Sequence, residues 1–140
     1  MTEKYKILAK FIKDMSSETK DIETYLNVKE QLHNYQLGID INSRALKDKI
    51  IEVNTNLRFE NKQELKKKSH FELTYTTIIK IDENIKEKKE LEKILLCDLQ
   101  IKIYPDLEKS LLNLLHNSGY TEVKFDKKID FEKLYNNKKN

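Results

Sequence analysis

Glycine is nearly missing from this 140-residue chain: Gly38 and Gly119 are the whole supply. A loop that cradles phosphates with successive backbone N–H groups cannot be built from two distant glycines, which argues against ATP or dinucleotide binding. Cysteine is reduced to Cys97, which sits among Ile94, Leu95, Leu96 and Leu99. That setting predicts a buried free thiol rather than a disulfide or a nucleophile, because apolar neighbours raise a thiol's pKa and leave it inert. The three histidines, His33, His70 and His116, lack metal-ligand spacing, so no zinc site and no cofactor are expected. No apolar run approaches the roughly 18 residues of a membrane span. Nor does a short apolar block follow a basic N-terminus, so no signal peptide is expected and the cytoplasm is the expected location in a bacterial host. Charge of one sign is also lacking. The net value is +3 with both signs interspersed, too mild to argue for nucleic acid.

What is present suits one domain over residues 1–140. Leu, Ile, Val and Phe number 41, about 29% of the chain, well clear of the composition of disordered chains. Charged residues make up 36% and apolar ones only 38%, a thin core for one protomer and a pointer to oligomerisation.

The organising stretch is FELTYTTIIKI, where Phe71, Leu73, Tyr75, Ile79 and Ile81 fall on one face at period two. Before it, Ile51, Val53, Thr55, Leu57 and Phe59 alternate with Glu52, Asn54, Asn56, Arg58 and Glu60, so the two runs read as a long antiparallel hairpin. A first strand is expected over Tyr5 to Met15, with Tyr5, Ile7, Ala9 and Phe11 sharing one side. Another begins at Leu37, Ile39 and Ile41, and a turn at Lys47 to Lys49 leads into Ile50. Ile22 to Val28 reads equally as an extended piece or a helical turn. The tip NKQELKKKS, with Lys66, Lys67 and Lys68, reads as a solvated loop, since no aromatic stacking platform is interleaved with its lysines.

From Leu91 to His116 the apolar residues follow a helical stripe through 91, 94, 95, 99, 103, 107, 111, 114 and 115. The lone proline, Pro105, should kink or break this helix near Ile101 to Tyr104. Gly119 suits the left-handed residue past its end. Asp130 reads as the N-cap of a short helix with Phe131, Leu134 and Tyr135 on one face. The expected fold class is α+β: a four-stranded antiparallel sheet packed on a long, proline-interrupted helix and a short C-terminal helix. No catalytic constellation stands out, and an enzyme is not expected.

Four motifs in order, FIKDMSSE, HFELTYTTIIKID, CDLQIKIYPDLEKSLLNLL and IDFEKLY, give the chain a resemblance to the SecB family of bacterial protein-export chaperones along nearly its full length. The resemblance implies a chaperone without catalytic activity or nucleotide. It implies a homotetramer, a dimer of dimers, with two large antiparallel sheets outside and the long helices between. Its partners would be unfolded precursor proteins and the export ATPase SecA, with no nucleic acid and no stable membrane insertion. SecA would dock on an acidic patch whose positions fall here on Asp14, Glu18 and Glu72. His70 and the Thr76–Thr77 step depart from the family pattern, the latter standing where the family has two glycines.

For clients, a groove between sheet and helices is expected, with Ile85, Leu91, Leu95, Phe131, Leu134 and Tyr135 as its residues. Phe71, Leu73 and Tyr75 are assigned to packing under the long helix and to assembly. Two alternatives stand beside this reading, the first within the same fold and the second from a different class. One is a SecB-like chaperone dedicated to a toxin–antitoxin partner; the other is a small basic nucleic-acid-binding protein using the Lys66 to Lys68 tip.

Overall fold

A computed structural model describes residues 3–61, 63, 68–125 and 128–139. The four strands are β1 (Tyr5–Glu18), β2 (Tyr35–Ala45), β3 (Ile50–Asn61) and β4 (His70–Ile81), all antiparallel in the order β1-β4-β3-β2. Edge positions therefore go to β1 and β2, each with one row of backbone groups unpaired within the sheet. Of the basic tip, Lys66 and Lys67 lie outside the described residues.

Period two decides which side of the sheet is covered. Val53, Thr55, Leu57, Leu73, Thr77 and Ile79 are fully buried on one face, against a helix layer. The opposite face carries Glu52, Asn56, Arg58, Glu72 and Lys80. The helix layer comprises α2 (Lys88–Lys93), a π turn (Ile94–Asp98) and α3 (Leu99–Asn117), followed by α4 (Phe131–Lys139). From α3, Leu99, Ile103, Leu107, Leu111 and Leu115 are all buried at a strict spacing of four. Cys97 is buried too, and burial pushes its thiol pKa up.

Four local features differ from the sequence reading or resolve it. Ile22–Glu30 is a helix, α1, whose N-cap Asp21 accepts from the Thr24 N–H at 2.7 Å. Strand β1 runs on to Glu18, and its alternation does not hold: register shifts at Leu8 and Lys13 each insert a residue. Tyr5 and Ile7 thus face the helices while Ala9 and Phe11, opposite Ile78 and Thr76, face outward. The long helix is not broken at Ile101 to Tyr104, since α3 continues through Pro105. Pro105 and Ile101 are both exposed, so the carbonyl that loses its donor lies on the wet side of the helix, where water can satisfy it. The irregularity lies upstream instead, where the Leu99 N–H reaches back five residues to Ile94 O.

The far end of α3 is fixed by Gly119 at φ +101°, its N–H donating to His116 O. The Tyr25 hydroxyl donates to Gly119 O at 2.7 Å and its ring stacks on Tyr120 at 5.1 Å, which seats α1 against the helix layer. Tyr120 in turn meets Phe71 edge-on at 5.5 Å. Asp130 caps α4 through the Lys133 N–H at 3.0 Å. Phe131 and Tyr135 are buried as expected, while Leu134 is 47% exposed.

Candidate functional site

The free edge of β2 is where sheet and helix layer part. On the helix-facing side β2 presents Tyr35, Leu37, Ile39, Ile41 and Ser43, which the register places opposite Asn61, Phe59, Leu57, Thr55 and Val53. Three depressions follow one another along this strand. A cavity of about 340 Å³ is lined by Ile41, Asn42, Ser43, Glu92, Leu95, Leu96 and Tyr135. Beside it, one of about 240 Å³ shares Ile41, Leu96 and Tyr135 and adds Ile39, Asp40, Phe131 and Leu134. Further on, a wider hollow of about 740 Å³ lies over Tyr35, Leu37, Phe59, Val123, Phe125 and Ile129, rimmed by Lys29, His33, Glu122, Lys124 and Lys128. The strand under them has 11 residues, a reach of about 36 Å. An apolar floor with a polar rim and an extended outline suits an extended chain better than a compact small molecule.

The walls are held by identifiable contacts. The Tyr135 hydroxyl donates to Lys89 O at 3.3 Å, tying α4 to α2, and the Phe131 ring meets Tyr104 at 5.5 Å. Of the six residues expected to line a groove, the structure brings Leu95, Phe131, Leu134 and Tyr135 together. Ile85 and Leu91 line neither of the two cavities that hold those four; Ile85 is 9% exposed in the turn after β4, where its N–H donates to Asp82 O, and Leu91 is half-buried against the core. Missing from that expectation were Ile39, Ile41 and Leu96. Ile39 and Ile41 were visible as one face of a strand, but only the strand order shows that this strand is an edge. Leu96 had no signal, because its place depends on the π turn.

Phe71, Leu73 and Tyr75 are buried on the helix-facing side of β4. The three acids lie on the other face. Ser16 of β1 is opposite Glu72, Asp14 is opposite Thr74 and Glu18 opposite His70, so Asp14 and Glu18 flank Glu72 diagonally. Asp14 and Glu18 are exposed. Glu72 is partly occupied: His70 Nε2 stands 3.2 Å from one oxygen and Asn56 Nδ2 donates to the other at 2.8 Å. Across β3, Arg58 lies opposite Glu72 and pairs with Asp40 at 2.6 Å and Glu60 at 3.3 Å. The outer face is therefore mixed in sign around its acids.

At the Thr76–Thr77 step both residues behave as strand residues. Thr76 Oγ1 donates outward to Asn54 Oδ1 at 2.7 Å, and Thr77 is buried inward with its hydroxyl unpartnered. Among the described residues no cluster of His, Cys, Asp or Glu could hold a metal ion, and no helix is long and apolar enough to cross a membrane.

Comparison with known proteins adds three findings. The family described as Preprotein translocase subunit SecB matches residues 1–140. A putative protein-export protein SecB from Pelagibacter ubique (strain HTCC1062) is 59% identical over 140 residues, 100% of each chain. Among solved structures, a Mycobacterium tuberculosis SecB-like chaperone in complex with a ChAD peptide from the HigA1 antitoxin superimposes with a TM-score of 0.66 at 9% identity. The match covers 88% of this chain and 86% of that one, a likeness of fold.

Proposed function

The chain belongs to the SecB family and is a SecB-type protein-export chaperone, and on that premise we propose that it holds non-native precursor segments, extended, along the edge of β2. The observation that carries this is the run of three depressions along one free strand, two of them walled by Leu95, Leu96, Phe131, Leu134 and Tyr135 and the third by Val123, Phe125 and Ile129. Many weak apolar contacts over about 36 Å of strand let such a site take unrelated sequences and release them to a competitor. Capture needs no nucleotide and no bond chemistry, and SecB is a family of chaperones rather than enzymes. The cytoplasm is the compartment in which it acts, as one domain.

Assembly is part of the proposal. Strand β1 is a 14-residue edge whose Leu8, Phe11, Ile12 and Met15 are 43–49% exposed. A long apolar edge invites pairing with a second copy, which would join two four-stranded sheets. Two such dimers meeting through their helix layers give the homotetramer. SecA would dock on the outer face at Asp14, Glu18 and Glu72, carboxylates on a rigid sheet that steer a cationic partner. Reversing Asp14, Glu18 and Glu72 to Lys should weaken SecA binding at least tenfold, about 1.4 kcal/mol, and leave client affinity alone. Unchanged SecA affinity would remove these residues from the docking surface.

Hydrogen exchange tests the groove. Adding a denatured precursor should slow exchange at 39–43, 92–96 and 131–135. Protection confined to other elements would overturn the placement of the client.

A further inference from the structure

The π turn at Ile94–Asp98 decides which side chains face the groove. Counting back three and four residues from the buried pair Leu99 and Gln100, as an uninterrupted α-helix would, points to Leu95, Leu96 and Cys97, with Leu96 counted twice. An α-helical register therefore puts Leu96 in the core. The chain counts five instead: the Leu99 N–H bonds to Ile94 O, and the Gln100 side chain reaches Leu95 O, five residues back, at 3.1 Å. Ile94 at 0% takes the core position that Leu96 would have held, beside Leu95 at 7% and Cys97 at 0%, while Leu96 is left half-buried and lines both apolar cavities.

An extra residue in a helix persists only where something outside it fixes the register. Gln100 is fully buried, and its other amide atom is spoken for: Oε1 accepts from Thr55 Oγ1 at 2.9 Å. Thr55 lies mid-strand in β3, itself fully buried, opposite Tyr75 on one side and Ile41 on the other. The sheet thus holds Gln100, and Gln100 holds the Leu95 carbonyl at the π spacing. A one-residue relaxation would strand the Thr55 hydroxyl or the Gln100 amide without a partner in a dry core, a costly state.

We infer that Gln100 and Thr55 are positioning residues for client capture, clamping the π turn so that Leu96 stands on the groove wall. This rests on the groove being the client site.

The test is a mutant cycle on the full chain, read as affinity for a dye-labelled denatured precursor, with thermal unfolding in parallel. Leu96→Ala should weaken binding about fivefold. Gln100→Leu and the near-isosteric Thr55→Val should each weaken it too. In either background Leu96→Ala should have no further effect, because Leu96 has already left the wall. A clamp that merely stabilises the fold predicts a lower melting temperature with the fivefold effect of Leu96→Ala intact, and that result overturns the inference. So does a Leu96→Ala variant that binds normally while Leu134→Ala binds weakly. If neither Leu96→Ala nor Leu134→Ala alters binding, the client site itself is misplaced. Thr55→Val keeps the cycle readable should Gln100→Leu fail to fold.

Discussion

Leu134→Ala separates client binding from stability better than any other groove substitution. Leu134 is 47% exposed on α4, between the buried Phe131 and Tyr135, and lines the cavity of about 240 Å³. Truncating a fully buried leucine costs about 2–5 kcal/mol; with half the side chain already in water, about 1 kcal/mol is the expected loss of stability. In a 140-residue chain that lowers the melting temperature by about 3 °C, leaving the variant folded. An apolar client segment covering the exposed half would gain about 1 kcal/mol from it, since full burial of a leucine is worth roughly 1.5–3 kcal/mol. Removing that surface should raise Kd about fivefold. Fluorescence anisotropy of a labelled, denatured precursor reads this directly. A folded Leu134→Ala variant with an unchanged Kd would refute the placement of α4 on the client surface. Tyr135→Ala cannot make the same distinction, because its buried ring also supports the fold.

Other substitutions probe the frame. Gly119→Ala puts a methyl carbon 2.6 Å from Tyr25 Cε1 at a φ of +101°, so denaturant unfolding should record a loss of about 2 kcal/mol. Thr77→Val removes a buried, unpartnered hydroxyl and should stabilise by about 1 kcal/mol; destabilisation would mean that the hydroxyl has a partner. Burial, with the Glu108 carboxylate nearby, holds the Tyr104 phenol far above its usual value of 10.0. Its proton is bound in both folded and unfolded chains below pH 10. Above pH 10 only the unfolded chain releases it readily, so stability falls as pH rises through that range. Tyr104→Phe should flatten this alkaline limb in pH-dependent melts, and an unchanged limb would contradict the assignment.

Most of the frame was legible because period two is a strong signal where one face is buried. Strand β3 buries Ile51, Val53, Thr55, Leu57 and Phe59 in the alternation read from its sequence. Strand β1 was harder: the inserted residue Leu8 moves Phe11 to the side opposite Tyr5, and nothing local marks a bulge. Helix α1 buries only Thr24 and Val28 and leaves Ile22 and Leu26 in water, too narrow a stripe to distinguish from an extended piece. Pro105 overstated its effect because it and Ile101 lie off the apolar stripe, where water can replace the lost hydrogen bond. The groove was half legible. The α4 stripe gave Phe131, Leu134 and Tyr135, but Ile39 and Ile41 needed the strand order, and Leu96 needed a backbone register that depends on a hydrogen bond from β3.

The central claim is that this chain holds unfolded precursors, and refolding kinetics test it most directly. A denatured precursor diluted into buffer should refold more slowly when the protein is present at a stoichiometric ratio, with sedimentation reporting a tetramer in the same buffer. Refolding at the same rate with and without the protein, at every ratio up to a several-fold excess, would contradict the account.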